Sequence, residues 1–129
     1  MTAASIDPPM TDLVSVTVSG TEAAACVTAA GEVDSTSAPV LRQQLETLLD
    51  GDVRELTVDL GQVTFLDSAG LCVLAAAHRR AVRQDVTMRV LASSRAVIRP
   101  LQITGLWELL HAERVDGAAP VLRIQQGVA

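Results

Sequence analysis

The sequence predicts an α/β fold, a small mixed β-sheet with helices packed on it. Three observations lead there. Short runs of apolar–polar alternation recur at 14–18, 56–60 and 86–90, the period of a half-buried strand. Between them apolar residues return at helical spacing, as in Leu41, Leu45, Leu48 and Leu49. Strands alternating with helices call for helices layered on a sheet. The chain has 129 residues, the length of one domain.

The elements follow in order. Val14, Val16 and Val18 alternate with Ser15, Thr17 and Ser19, a strand with one buried face. Gly20-Thr21 reads as a turn. Residues 23–30, with Cys26, Val27 and Thr28, form the second arm of a hairpin, so the first two strands are antiparallel. Residues 31–39 read as a polar loop ending in a helix start, in which Ser37 caps and Pro39 suits the first turn. The leucine-rich helix stops at Asp50-Gly51-Asp52. Leu56, Val58 and Leu60 make a third strand, which Gly61-Gln62 breaks.

From Ser68 the face Leu71, Leu74, Ala75, His78 and Val82 describes an amphipathic helix, with Arg79, Arg80 and Arg83 mainly off it. Val86, Met88 and Val90 make a fourth strand. Ser93 or Ser94 starts a third helix. Pro100 falls inside it, and a proline there removes an N–H and clashes with the preceding turn, which predicts a kink or a restart. Thr104-Gly105 ends it. Leu106 to Leu110, with Trp107, is a short apolar strand or helix. Asp116-Gly117 is a turn and Pro120 to Gln126 a last short helix. Residues 1–11, with Pro8-Pro9 and no periodicity, read as a flexible tail, leaving one domain over 12–126.

Composition narrows the function. The chain is 49% apolar but has one Phe, one Trp and no Tyr, so the core is aliphatic. Net charge is −5 and every basic residue is Arg. An acidic chain without Lys or Tyr lacks the basic footprint of a nucleic-acid binder and is unsuited to an anionic membrane surface. The N-terminus has neither the basic segment nor the apolar run of a signal peptide, and no apolar run spans a membrane. The expectation is a cytoplasmic protein. Cys26 and Cys72 then read as buried thiols rather than a disulfide.

The densest chemical signal is Phe65-Leu66-Asp67-Ser68-Ala69-Gly70-Leu71, which joins a strand pattern to a helical one. A serine at that junction is a favoured N-cap. Asp67, ahead of a helix, complements its dipole, and Asp34 suits an Asx-turn. A nucleophile elbow is the sharpest rival, but Leu66 stands where G-x-S-x-G needs its first glycine. His78, ten residues on, lies about 15 Å up the same helix at ~1.5 Å per residue. His111 has no visible partner. The His and Cys residues show no metal-ligand spacing, and no phosphate-binding glycine loop occurs, so neither a metal nor a cofactor is implied.

Two motifs taken together, Gly31-Glu32-Val33-Asp34 ahead of Leu41-Arg42, and Phe65 through Leu71, resemble the STAS domains, specifically the bacterial anti-sigma factor antagonists. Ser94, Ala96-Val97 and Thr104-Gly105-Leu106 give a weaker third match. The resemblance spans roughly 12–126, within the single domain that length allows. It implies a binding module rather than an enzyme. Ser68 would be the phosphoacceptor of a serine-kinase anti-sigma factor and be reset by a PP2C-type phosphatase. Asp34, Asp67, Ala69 and Gly70 would form its surroundings and the partner contact. A scaffold without a switch, in a stress-sensing or transport complex, is the alternative. Two departures stand out. Cys72 replaces a second glycine, and Pro100 replaces an ordinary helix former.

Overall fold

The computed structural model of the chain describes residues 14–115. The ends assigned above to the tail, the last turn and the last helix lie outside them. β1 (Val14–Gly20) and β2 (Ala24–Val33) form the expected antiparallel hairpin, with Val16 opposite Ala29. Its turn needs glycine. Gly20 has φ +93°, and a Cβ there would lie 2.4 Å from the Ala24 carbonyl oxygen. α1 (Ala38–Leu49) leads to β3 (Glu55–Leu66), which runs parallel to β2. α2 (Ser68–Arg83) leads to β4 (Thr87–Ala92), parallel to β3. α3 (Arg95–Ile103) and α4 (Leu106–Leu109) precede a two-residue β5 (Glu113–Arg114), parallel to β4. Strand order is β1-β2-β3-β4-β5. The sheet is therefore mixed, as the pattern predicts.

Burial alternates at the start of β1, through most of β2, in the first half of β3 and throughout β4. Val14, Val16, Ala25, Val27, Ala29, Leu56, Val58, Leu60, Met88, Val90 and Ala92 are buried, whereas the intervening Ser15, Cys26, Thr28, Thr57 and Asp59 are only half-buried. One face of the sheet thus carries the core. Leu41, Leu45 and Leu49 of α1, Val73, Leu74 and Ala77 of α2, and Val97, Ile98 and Leu101 of α3 complete it. The core is aliphatic among the described residues, as composition requires. Phe65 is exposed, and Trp107 only packs against the margin. Val18, on the edge strand, is also exposed.

Two predicted breaks are absent. β2 runs on through Gly31-Glu32 to Val33, so the polar loop is shorter than expected. β3 does not stop at Gly61-Gln62 either. Ten residues of β2 face twelve of β3, with register shifts between Thr28 and Ala30 and between Gly31 and Glu32. Each shift places one extra residue in β3, a bulge. Buried positions accordingly step from Leu60 to Val63 to Leu66, changing from a period of two to one of three. The irregular stretch is tied down by Asp59 Oδ1, which accepts from Gly61 N–H at 2.8 Å, and by Ser93 Oγ, which donates to the Gly61 carbonyl at 2.8 Å.

The helices correct two further expectations. The buried face of α2 is Gly70, Val73, Leu74, Ala77 and Ala81, not the face through Leu71 and Val82. Of the expected face only Leu74 is buried, and Val82 is 63% exposed. α3 neither breaks nor restarts at Pro100. The carbonyl left without its donor belongs to Ala96, on the exposed side. Ser94 caps this helix, its Oγ accepting from Ala96 N–H at 3.1 Å. Thr104 closes it, its Oγ1 donating to the Pro100 carbonyl at 2.8 Å. The segment 106–109 is helical.

Candidate functional site

β2 and β3 end in register, Val33 beside Leu66. Asp34 and Asp67 therefore emerge side by side at the carboxyl ends of two parallel strands, where open α/β sheets commonly place their ligands. The Asp67 N–H donates to the Val33 carbonyl at 3.1 Å, holding the two loops together.

The helix cap is Asp67, not Ser68. Asp67 has extended backbone, and its Oδ1 accepts from Ala69 N–H at 2.9 Å and Gly70 N–H at 3.3 Å. These are two of the amides that a helix start leaves without partners, and the carboxylate also complements the helix dipole. Ser68 is the first helical residue, one place too late to reach them. It is exposed, and among the described residues its hydroxyl has no hydrogen-bond partner. Freed of capping work, Ser68 presents an accessible hydroxyl at the helix start.

Asp34 plays the matching role in the neighbouring loop. Its Oδ1 accepts from Thr36 N–H at 2.9 Å and Ser37 N–H at 3.1 Å, the predicted Asx-turn. Ser37 stands at the start of α1 but makes no side-chain cap. Fully buried, its Oγ donates to the Glu32 carbonyl at 2.7 Å and accepts from Asp34 N–H at 3.0 Å. That hydroxyl braces the loop on the end of β2.

Gly70 sets how closely α2 approaches the sheet. A Cβ there would lie 2.3 Å from Leu66 Cδ1 and 2.9 Å from Val33 Cγ1. Only glycine lets the first turn of α2 sit on the ends of both strands, and that seat positions Ser68. Beside it, α1 and α2 leave a groove of about 450 Å³ lined by Ala38, Pro39, Ala69, Cys72, Val73 and Ala76, with Arg42 and Arg79 among its walls. The site therefore pairs an acidic rim around Ser68 with a small apolar groove carrying two guanidinium groups.

The remaining candidates fall elsewhere. His78 and His111 line one pocket with Asp85 and Met88, half a helix away from Ser68. Burial lowers the His78 pKa from its ordinary value, and the nearby His111 lowers it further. No histidine thus serves Ser68 as a base. Cys26 and Cys72 are both free, and the expectation that both are buried fails. Cys26 is half-buried on the uncovered face of the sheet, whereas Cys72 is exposed on α2, which covers the other face. Among the described residues no group of three or more His, Cys, Asp or Glu is placed to hold a metal, and no helix is long and apolar enough to cross a membrane.

Residues 16–111 match the family model described as Mlab, STAS domain. An anti-sigma-F factor antagonist of Mycobacterium tuberculosis, RsfB, is 32% identical over 95 residues, 74% of this chain and 77% of that protein. The chain belongs to the STAS-domain anti-sigma factor antagonist family. A crystal structure of an anti-sigma factor antagonist from Mycobacterium paratuberculosis superposes with a TM-score of 0.72 at 29% identity, covering 80% of this chain and 87% of that one. The Bacillus cell fate determinant SpoIIAA in its phosphorylated form shares the fold, with a TM-score of 0.65 at 17% identity over 85% of this chain and 99% of that one. The two mycobacterial relatives are both named as anti-sigma factor antagonists.

Within this STAS domain the two acidic residues singled out from sequence do meet Ser68 at one end of the sheet. Sequence reasoning missed the groove. Arg42 and Arg79 sit on different helices, and only the packing of α1 on α2 brings them together. The one available signal was the row of arginines on an otherwise acidic chain.

Proposed function

We propose that this protein binds a serine-kinase anti-sigma factor through the end of the domain around Ser68, thereby freeing a sigma factor, and that phosphorylation of Ser68 switches this binding off. The single observation that carries the reading is the exposed, unbonded Ser68 hydroxyl, seated by Asp67 and Gly70 beside an apolar groove. Family membership supplies the class of partner. The protein is a substrate here, not a catalyst. The kinase transfers the γ-phosphoryl group of ATP to Ser68 Oγ, ADP leaves, and the hydroxyl proton passes to a base of the kinase. A PP2C-type phosphatase restores the serine by hydrolysis. All of this takes place in the cytoplasm.

The switch is electrostatic. Phosphate adds roughly −1.5 to −2 charges at neutral pH. The Ala69 and Gly70 amides are already engaged by Asp67, so the new dianion cannot take them and projects toward the partner. With Asp67 and Asp34 alongside, it sharpens a negative rim, and at a packed interface that brings repulsion and desolvation cost. The domain itself keeps its cap and its fold.

The test is incubation with ATP and the anti-sigma kinases of the same genome, followed by intact mass and site mapping. One phosphate on Ser68, absent from Ser68→Ala, and loss of kinase binding on phosphorylation are expected. Equal binding of the phosphorylated and unphosphorylated forms would refute the switch. Kinase binding without transfer would instead indicate a scaffold.

A further inference from the structure

A second charged feature lies away from Ser68. On α3, Arg95, Ile98, Arg99 and Gln102 recur three and four residues apart, along one side of the helix, and Arg114 of the edge strand β5 faces them. Together they line a concavity of about 200 Å³. Ile98, nearly buried, forms its floor. The three arginines and Gln102 are exposed at its walls.

The charge there is uncompensated. The chain has 15 acidic residues against 10 basic ones, yet among the described residues none of the carboxylates pairs with Arg95, Arg99 or Arg114. The ion pair that does form joins Arg80 to Asp50, on other elements. Like charges four residues apart on a helix, as Arg95 and Arg99 are, destabilise it. Adding Arg114 opposite increases the repulsion. An acidic protein that gathers three unpaired guanidinium groups around one hollow presents a binding site for an anion.

We propose that the α3–β5 hollow binds a phosphate ester, with Arg95, Arg99 and Arg114 holding the phosphate oxygens and Gln102 contributing a neutral amide donor. Guanidinium forks match phosphate oxygens two at a time, whereas a lone carboxylate would leave donors unused. The hollow, about 200 Å³, opens to solvent on its outer side. It has room for a phosphate or diphosphate group, with the remainder of the ligand lying outside. The group belongs either to a soluble phosphorylated metabolite or to a lipid headgroup.

The experiment uses the full chain at constant ionic strength. Inorganic pyrophosphate is titrated while the arginine side-chain N–H signals are followed by NMR. Saturable shifts confined to Arg95, Arg99 and Arg114 are expected, with sulfate weaker. Arg99→Gln weakens binding about tenfold or more, since a charged hydrogen bond contributes about 1.5–3 kcal/mol. The triple Arg→Gln variant abolishes it, and Arg42→Gln leaves it unchanged. All three arginines are exposed, so the triple variant folds. Its melting temperature, equal to or above that of the wild type, checks this and reports the relieved repulsion. Co-sedimentation with phosphatidylcholine vesicles carrying a phosphoinositide monoester assigns the ligand to a lipid, and saturable pyrophosphate binding without co-sedimentation assigns it to a soluble ester. Shifts that do not saturate, or pyrophosphate affinity unchanged in the triple variant, overturn the proposal.

Discussion

Gly70→Ala tests whether close approach of α2 to the sheet builds the site. The added methyl would lie 2.3 Å from Leu66 Cδ1, 3.2 Å from Leu66 Cγ and 2.9 Å from Val33 Cγ1. Neither neighbour has space to retreat. Val33 is fully buried and Leu66 nearly so, and Val33 is stiff at its branched Cβ. Overpacking of this kind costs about 1–3 kcal/mol. Alanine regains about 0.8–1 kcal/mol of helix propensity. The net expectation is about 1 kcal/mol of destabilisation. For about 100 structured residues, with an unfolding entropy of ~2.1 cal/mol/K per residue, that lowers Tm by about 5 °C. Gly51→Ala is the control, because a Cβ there meets only the Leu48 carbonyl oxygen at 3.5 Å. It should be neutral or slightly stabilising. Thermal and urea unfolding of both variants decide the matter. A Gly70→Ala protein that melts at or above the wild type would refute the reasoning. A double-mutant cycle then locates the cause. Leu66→Ala alone should cost about 2–5 kcal/mol, and it should cost at least ~0.5 kcal/mol less in the Gly70→Ala background. Additive effects would show that the Leu66 contact is not responsible.

Other outcomes follow from the same geometry. Asp67→Ala orphans the Ala69 and Gly70 amides and should cost about 1 kcal/mol, whereas Asp67→Ser retains most of the cap and Ser68→Ala stays within ~0.5 kcal/mol of wild type; urea midpoints at constant m distinguish the three, and a Ser68→Ala loss as large as that of Asp67→Ala would return the cap to Ser68. His78 has a lowered pKa in the folded state, so the unfolded chain binds its proton first as pH falls. Its contribution to stability is complete above the unfolded value of about 6.5 and is lost as pH drops through the folded value. Denaturation curves across that window should therefore flatten in His78→Gln, and an unchanged pH slope would remove His78 as the cause.

Much of the fold was legible because local chemistry and tertiary context agree. The hairpin, α1 and β4 follow from uninterrupted periodicity, and each meets its partner as the pattern requires. The errors arise where tertiary context overrides a local signal. Gly61 and Gly31 read as breakers, yet each sits where β3 takes an extra residue against β2, and a bulge leaves no mark on one strand considered alone. The buried face of α2 was misread for a related reason. Val82 fits the apolar spacing, but Gly70, Ala77 and Ala81 share the inward face with Val73 and Leu74, and such small side chains give little signal in the sequence. Pro100 breaks the local rule without breaking α3, since the only group it strands can reach solvent.

For the site, the residue types and spacings of 31–34 and 65–71 by themselves determined the family and singled out Ser68, Asp34 and Asp67. A strand end followed by Asp-Ser-x-Gly allows few local structures, so its chemistry is written in adjacent residues. Which side chain caps α2 was decided only in three dimensions, because Asp and Ser are both good caps and the choice depends on where the helix begins. So were the pairing of Val33 with Leu66 that brings the two aspartates together, the groove between α1 and α2, and the arginine hollow between α3 and β5. Each joins residues distant in sequence, whose proximity is set by strand register and helix packing rather than by any local preference.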